Sequence, residues 1–112
     1  MSTLRASVAA AESGPLILLA GEADITNVAE LSDLVNGQLV TQTRYLTVDV
    51  SGLAFADTAS IRVLLLAAGT LRKRGGDLVL LRPQRALLRM LDILGASALM
   101  TVHGRPETAP EP

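Results

Sequence analysis

An aspartate and two hydroxyl side chains lie close together where a helix is predicted to begin. Asp57, Thr58 and Ser60 follow a β-rich segment and a short apolar stretch, and they precede an apolar helical pattern. The first turn of a helix has backbone N–H groups without intrahelical partners and carries partial positive charge, so it favours carboxylates, hydroxyls and phosphoryl groups. We therefore expect a docking or modification site at this junction, with Asp57 as the helix N-cap.

The other residues that could do chemistry argue against an enzyme. The chain has no cysteine and a single histidine, His103, so it offers no thiolate nucleophile and no histidine pair for a metal. Asp24 and Asp57 can meet in space, but no cofactor motif accompanies them. Gly75 and Gly76 lack the spacing of a nucleotide-binding loop, so they indicate a turn. We expect no catalytic residue, no metal site and no cofactor.

Length and composition indicate one soluble domain. With 112 residues, 49% of them apolar, the chain is long enough for one core and too short for two. Its longest apolar runs, Leu16 to Ala20 and Val63 to Ala68, are much shorter than the roughly 18 residues of a membrane helix, so no membrane insertion is expected. The N-terminal segment lacks a continuous apolar region behind a basic start, which predicts no secretory signal and a cytoplasmic location.

The charge is small overall but unevenly divided. The formal net charge is −1, with two basic and six acidic side chains in residues 1 to 56, and eight basic and five acidic in residues 57 to 112. The cations Arg72, Lys73 and Arg74 fall in the last turn of a predicted helix, where the helix dipole favours them. Because the basic residues also lack interleaved aromatics, we predict no nucleic-acid binding.

Strands and helices are predicted to alternate along the chain. Alternation of this kind implies parallel strands joined by helical crossovers, and therefore an α/β fold. The domain is assigned to residues 1–104 and a flexible, proline-containing tail to residues 105–112. The predicted elements are a hairpin over 3–10 and 16–20, a helix over 27–38 capped by Thr26 or Asn27, a strand over 45–50, a helix from Thr58 to Arg74, a strand over 77–81, a helix carrying Leu87, Met90, Leu91 and Leu94, and a strand over 99–103.

Four segments of the chain together resemble one known family. Gly-Glu-Ala-Asp at 21–24, Val-Asp-Val-Ser-Gly-Leu at 48–53, Phe-Ala-Asp-Thr-Ala-Ser-Ile at 55–61 and Gly-Gly-Asp-Leu at 75–78 occur in the order and spacing of a STAS domain, the sulphate transporter and anti-sigma factor antagonist family. The resemblance covers about residues 4 to 103. It implies a single domain with a mixed four- to five-stranded sheet and helices mainly on one face. It also implies a bacterial regulator that binds an anti-sigma factor of the serine-kinase type and so releases a sigma factor for transcription.

In that family the helix opening usually reads Asp-Ser-Ser-Gly-Leu, and the partner kinase phosphorylates the second serine to break the complex. The resemblance matches Asp57 to the aspartate, Thr58 to the first serine, Ala59 to the phospho-acceptor and Ser60 to the glycine. Alanine cannot be phosphorylated, so the module is either permanently competent or modified at Thr58 or Ser60. We expect residues 57 to 60 to form an exposed lip. The predicted partner-binding residues are Glu22, Asp24, Asp57, Thr58, Ala59, Ser60 and Arg62.

Other binding functions remain open on the sequence alone. The chain also resembles the STAS subunit of a lipid-transport ATP-binding-cassette (ABC) complex, in which a threonine at the motif matters, and Thr58 suits that role. The partner would then be an ABC ATPase instead of an anti-sigma factor. A scaffold in a larger signalling assembly, or a homodimer, is the remaining alternative. The sequence identifies neither the partner nor the stimulus.

Overall fold

A five-stranded sheet and three α-helices make up the computed structural model, which describes residues 2 to 106. This arrangement confirms the predicted α/β class. A short 3-10 helix, Ala96–Ala98, precedes the last strand. The elements in chain order are β1 (Leu4–Ala11), β2 (Gly14–Ala23), α1 (Val28–Leu39), β3 (Tyr45–Ala56), α2 (Thr58–Lys73), β4 (Asp77–Leu81), α3 (Arg85–Ile93) and β5 (Thr101–His103).

The strands lie in the sheet in the same order as in the chain. β1 pairs with β2 in an antiparallel hairpin, and the β2–β3, β3–β4 and β4–β5 pairs are parallel. Each parallel step needs a crossover connection, and α1, α2 and α3 supply the three of them in turn. The sheet is therefore mixed, as predicted.

One face of the sheet carries the core. Ile17, Val48 and Leu80 point to this face and are 0% exposed, and α1 and α2 pack against each other and against the strands. Successive side chains of a strand point to opposite faces. Leu18, next to Ile17, lies on the other face and is 40% exposed. The predicted placement of the helices mainly on one face is confirmed.

β3 is longer than predicted. The sequence pattern predicts a strand that ends at Val50, but the strand continues to Ala56. Its parallel pairing with β2 extends to Ala23↔Ala56, past two register irregularities. Gly52, which weakens the sequence signal for a strand, is needed here because a Cβ at this position would lie 2.9 Å from the Cβ of Ala20. α2 therefore begins directly at the edge of the sheet.

The other element boundaries shift only slightly from the predicted ones. α1 covers residues 28–39, and β5 begins at Thr101, because a 3-10 turn at Ala96–Ala98 and a bend at residues 99–100 precede it. α2 ends at Lys73, and Gly75, in the predicted turn, adopts the left-handed conformation with φ of 81°. Arg74 donates hydrogen bonds of 2.9 and 3.0 Å to the carbonyl oxygens of Leu39 and Thr43, so this cation holds the fold together.

The predicted tail lies almost entirely outside the described residues, so the domain boundary at residue 104 stays a prediction. None of the helices between residues 2 and 106 combines the length and the apolar character needed to cross a membrane.

Candidate functional site

Two parallel strands end side by side at one edge of the sheet, and an aspartate follows each of them. β2 ends at Ala23 and β3 at Ala56, and these residues are paired in the ladder. Asp24 and Asp57 come next in the chain. The backbone N–H of Asp57 donates a hydrogen bond of 3.0 Å to the carbonyl oxygen of Ala23. The structure thus places the two predicted acidic residues at the same end of the domain.

Asp57 begins α2 as predicted. Its backbone is extended, with φ of −82° and ψ of 176°, and its Oδ1 accepts a hydrogen bond of 2.9 Å from the backbone N–H of Ser60. Its carbonyl oxygen accepts the first helical hydrogen bond, from the N–H of Ile61 at 3.0 Å. One carboxylate oxygen of Asp57 therefore satisfies an N–H group of the first helical turn.

The loop between β2 and α1 is organised by Asp24 and Asn27. The Oδ1 of Asp24 accepts hydrogen bonds from the hydroxyl and the backbone N–H of Thr26, and these bonds lower the pKa of the Asp24 carboxyl below its ordinary value of 3.8. Asn27, only 1% exposed, accepts a bond of 2.9 Å from the backbone N–H of Asp24 and donates one of 3.0 Å to the carbonyl oxygen of Glu22. The shape of the loop therefore depends on a buried amide.

These contacts correct the prediction that Thr26 or Asn27 caps α1 with its side chain. Asn27 occupies the N-cap position, but its side chain makes no capping hydrogen bond. The Asn27 amide is turned towards the end of β2, where it satisfies backbone groups that the strand ladder leaves free.

The predicted lip of residues 57 to 60 is only partly exposed. Thr58 is exposed, and Asp57 and Ala59 are half-buried. Ser60 is 1% exposed, and its Oγ has no hydrogen-bond partner among the described residues. Ser60 lies on the face of α2 that packs into the core, so the expectation of an accessible Ser60 for partner binding or phosphorylation is wrong. Of the other predicted residues, Glu22 and Arg62 are exposed.

Two apolar residues beside these acids were not among the predicted site residues. Ile25, in the loop after β2, is 70% exposed, and Phe55, near the end of β3, is 48% exposed. Phe55 also borders a shallow apolar groove against Leu87 and Met90 of α3. Exposed large apolar side chains with a rim of polar residues are typical of surfaces that bind a protein partner. The signal in the sequence was an isoleucine in an otherwise polar loop.

A second charged cluster lies on the open face of the sheet, away from this edge. Asp49, 7% exposed, accepts a hydrogen bond of 2.9 Å from the backbone N–H of Ser51 and forms an ion pair with Arg82. Burial alone would raise the pKa of Asp49, but the bonds from Ser51 and the nearby Arg82 cation together lower it below 3.8. Gln84 adds a hydrogen bond of 2.9 Å to the carbonyl oxygen of Ser51. These contacts tie the loop after β4 to β3.

The arrangement at the edge is suited to recognition. Between residues 2 and 106, no three histidine, aspartate or glutamate side chains converge in a way that could hold a metal. The edge instead combines the carboxylates of Glu22, Asp24 and Asp57, the hydroxyl of Thr58 and the apolar surface of Ile25 and Phe55. Carboxylates attract basic groups and apolar side chains exclude water, so the edge can bind a complementary protein surface.

The chain is similar to known proteins over nearly its whole length. A family model described as "Mlab, STAS domain" matches residues 6–101. The anti-sigma-F factor antagonist RsfA of Mycobacterium tuberculosis (strain H37Rv) is 30% identical over 110 residues, which cover 96% of this chain and 86% of that protein.

Solved structures show the same fold at lower sequence identity. An anti-sigma factor antagonist from Mycobacterium paratuberculosis superposes with a TM-score of 0.80 at 16% identity, covering 88% of this chain and 84% of that one. The unphosphorylated form of the anti-sigma factor antagonist SpoIIAA superposes with a TM-score of 0.75 at 17% identity, and the superposition covers 88% of this chain and 87% of that one.

Proposed function

The chain belongs to the STAS domain family, and from this membership we propose that it is an anti-sigma factor antagonist that binds an anti-sigma factor of the serine-kinase type and so releases a sigma factor. Similarity to RsfA over nearly the whole chain supports the antagonist role. A sigma factor acts on transcription, so the proposal implies a cytoplasmic location.

One observation carries this proposal: the edge where Asp24 and Asp57 follow paired strands presents acidic, hydroxyl and apolar side chains together on the surface. The partner surface that fits it has basic groups opposite Asp24 and Asp57 and apolar side chains opposite Ile25 and Phe55. Arg62, one turn further along α2, adds a cation at the border and accommodates an acidic group of the partner. Binding of this kind needs no catalytic residue.

The switch that releases the partner differs from the family pattern at Ala59. A phosphoryl group adds a charge of about −1.5 to −2 at neutral pH, which disrupts an interface packed around a neutral side chain. Ala59 cannot receive this charge, and Ser60 is buried. Thr58 is the exposed hydroxyl of the first turn. The protein is therefore either permanently able to bind or switched at Thr58.

Restoring the acceptor tests this proposal. The wild type, Ala59→Ser and Thr58→Val are each incubated with the anti-sigma factor kinase of the source organism and ATP, and phosphate is located by mass spectrometry. We expect all three unphosphorylated proteins to bind the kinase, and Ala59→Ser to gain a phosphate on residue 59 and lose affinity. Failure of the wild type to bind any serine-kinase-type anti-sigma factor of that organism would reject the function.

The same experiment shows whether the protein is permanently able to bind or is switched at Thr58. Phosphate on Thr58 of the wild type, absent from Thr58→Val, would identify Thr58 as the switch residue. A wild type that binds the kinase but carries no phosphate is permanently competent. In both cases the antagonist function stands.

A second candidate function is binding to an ABC ATPase, as in the STAS subunit of a lipid-transport complex. The observation in its favour is the exposed Thr58 directly after the capping Asp57. Affinity purification of the tagged protein from the source cell distinguishes the two candidates. Recovery of a cassette ATPase that depends on Thr58, without a kinase-like protein, would favour the transport complex.

A further inference from the structure

Among residues 2 to 106, no strand pairs with the outer side of β1, so the sheet is open along this strand, which is a different border from the end where β2 and β3 stop. Its eight residues, Leu-Arg-Ala-Ser-Val-Ala-Ala-Ala, pair with β2 on one side in an unbroken register, and every residue after Leu4 is exposed. Edge strands of soluble proteins are commonly protected from further pairing by proline, a bulge or several charges. β1 contains no proline, no register shift and one charged residue, Arg5. It is therefore an unprotected template for another strand.

The ladder shows which backbone groups point to the open edge. The N–H of Glu22 donates a hydrogen bond of 3.1 Å to the carbonyl oxygen of Thr3, in the same register as the neighbouring pair Leu4↔Gly21. Hydrogen-bonded pairs alternate along an antiparallel ladder, so the odd-numbered residues of β1 turn their backbone groups towards β2. Ala6, Val8 and Ala10 therefore turn their N–H and C=O groups to the outside.

We propose that β1 pairs in antiparallel fashion with β1 of a second copy of this chain, about a two-fold axis through Val8. Val8 then faces Val8, and Ala6 faces Ala10 of the second copy. Both residues of each such pair have their backbone groups turned outwards, so the two strands form a complete ladder. The two sheets join into one continuous sheet across the dimer.

The side chains of β1 make it complementary to itself. Ala6, Ser7, Ala9 and Ala10 are small and leave no steric obstacle between the strands. In this register Arg5 lies opposite Ala11 of the second copy, which is small and uncharged. The two Arg5 cations are at opposite ends of the strand pair and do not meet. A surface that pairs with its own two-fold mate without like-charge contact is what an isologous dimer requires.

The dimer leaves both candidate sites open. The axis runs perpendicular to the joined sheet, so the helices of both copies lie on the same side and the ends of the two β2 strands point in opposite directions. Asp57 of each copy follows β3, so β2 lies between it and the paired β1 strands. The proposal goes beyond the antagonist function, and the dimer can bind two partner molecules.

Cysteine cross-linking tests the register. The natural chain has no cysteine, so Val8→Cys and Ala11→Cys each carry one thiol. The two copies of residue 8 face each other across the two-fold axis, with Cα atoms about 5.5 Å apart. Residue 11 faces residue 5 of the second copy, so the two copies of residue 11 are offset by six residues along the strands, or about 20 Å. With a short bis-maleimide reagent we expect a covalent dimer of Val8→Cys and none of Ala11→Cys. The opposite result would overturn the proposal.

Solution mass tests the dimer itself. We expect sedimentation of the wild type to approach twice the 11.7 kDa chain mass as concentration rises. Val8→Pro removes an outward N–H and leaves the β1–β2 ladder intact, so it should be a folded monomer, whereas Val8→Thr keeps the N–H and should remain a dimer. A wild type that stays monomeric at every concentration refutes the dimer. If Val8→Pro fails to fold, the cysteine variants decide.

Binding of the anti-sigma factor is measured on the same proteins. Val8→Pro is expected to bind each partner molecule as tightly as Val8→Thr does, because the axis is remote from Asp57. Loss of the dimer with binding retained therefore leaves the antagonist function standing. Loss of binding with the dimer retained rejects the function and leaves the dimer.

Discussion

The backbone N–H of Asp57 donates a hydrogen bond of 3.0 Å to the carbonyl oxygen of Ala23. This bond connects the residue that begins α2 to the last residue of β2. The loop that contains Asp24 starts at the next position, so both acidic segments of the candidate site are held by the same pair of strands. A change at Asp57 can therefore affect both stability and recognition, and the two effects need separate measurements.

Replacing Asp57 by alanine should lower the free energy of unfolding by about 1 kcal/mol, because the N–H of Ser60 loses its acceptor. Asp57→Ser is the matched control, since serine caps helices well but carries no charge. We expect urea denaturation to show a loss only for alanine, and calorimetry to show weaker partner binding for both variants. Equal stability of wild type and Asp57→Ala would contradict the capping role.

Replacing Asn27 by alanine should lower the free energy of unfolding by about 2 kcal/mol. The substitution leaves the N–H of Asp24 without its acceptor and the carbonyl oxygen of Glu22 without its donor. Asn36→Ala, at an exposed position of α1, should change stability by less than about 0.5 kcal/mol. Thermal and urea unfolding of the two variants measure the difference. Similar small effects for both would mean that the buried amide does not shape the loop.

Replacing Ser60 by alanine should not destabilise the protein, and a gain of up to about 1 kcal/mol is expected, because the buried hydroxyl has no hydrogen-bond partner among the described residues. The backbone N–H that bonds to Asp57 is retained in this variant. Partner binding should also be unchanged, since residue 60 is 1% exposed. A loss of more than about 1 kcal/mol in urea denaturation would show that the hydroxyl is satisfied after all.

The lowered pKa of Asp49 predicts acid sensitivity. The folded protein holds this carboxyl in its charged form more strongly than the unfolded chain does, so its contribution to stability is present above the unfolded pKa of 3.8 and is lost as the pH falls through the lower folded value. We expect Asp49→Asn to be less stable than the wild type at pH 7 and to lose less of its own stability between neutral pH and acid.

Arg82→Gln serves as the partner variant in that experiment, because it removes the cation and leaves the hydrogen bonds from Ser51. Arg82→Gln should therefore show only part of the reduced acid sensitivity that is expected of Asp49→Asn. Unfolding free energies measured from pH 7 down to acid check both variants. Parallel curves for wild type and Asp49→Asn would exclude the carboxyl as a source of acid sensitivity.

The parts of the fold that depend on neighbouring residues could be predicted from the sequence. Asp57 caps α2 through the N–H three residues later, and Gly75 ends the same helix by adopting a left-handed conformation. Both effects act within one helical turn, so the residue types and their spacing are sufficient. The α/β class followed in the same way from alternating strand and helix patterns.

The features that were missed depend on contacts between distant segments. The end of β3 is set by pairing with β2, about thirty residues earlier in the chain. Gly52 weakens the strand pattern in the sequence, so the last part of β3 was not predicted. The burial of Ser60 did leave a signal, because Ser60, Leu64 and Ala67 follow helical spacing on the core face of α2. A hydroxyl at the helix start suggested exposure instead. The exposure of Phe55 depends on how the end of β3 meets α3, which the chain order does not reveal.

The inward-turned amide of Asn27 has a consequence for the energetics of recognition. Because it fastens Asp24 and Glu22 to each other before any partner arrives, the acidic loop gives up little conformational entropy on association. A pre-organised surface of this kind favours rigid-body docking, in which the free and bound backbones differ little. The affinity then depends mainly on the dissociation rate of the complex and less on its association rate.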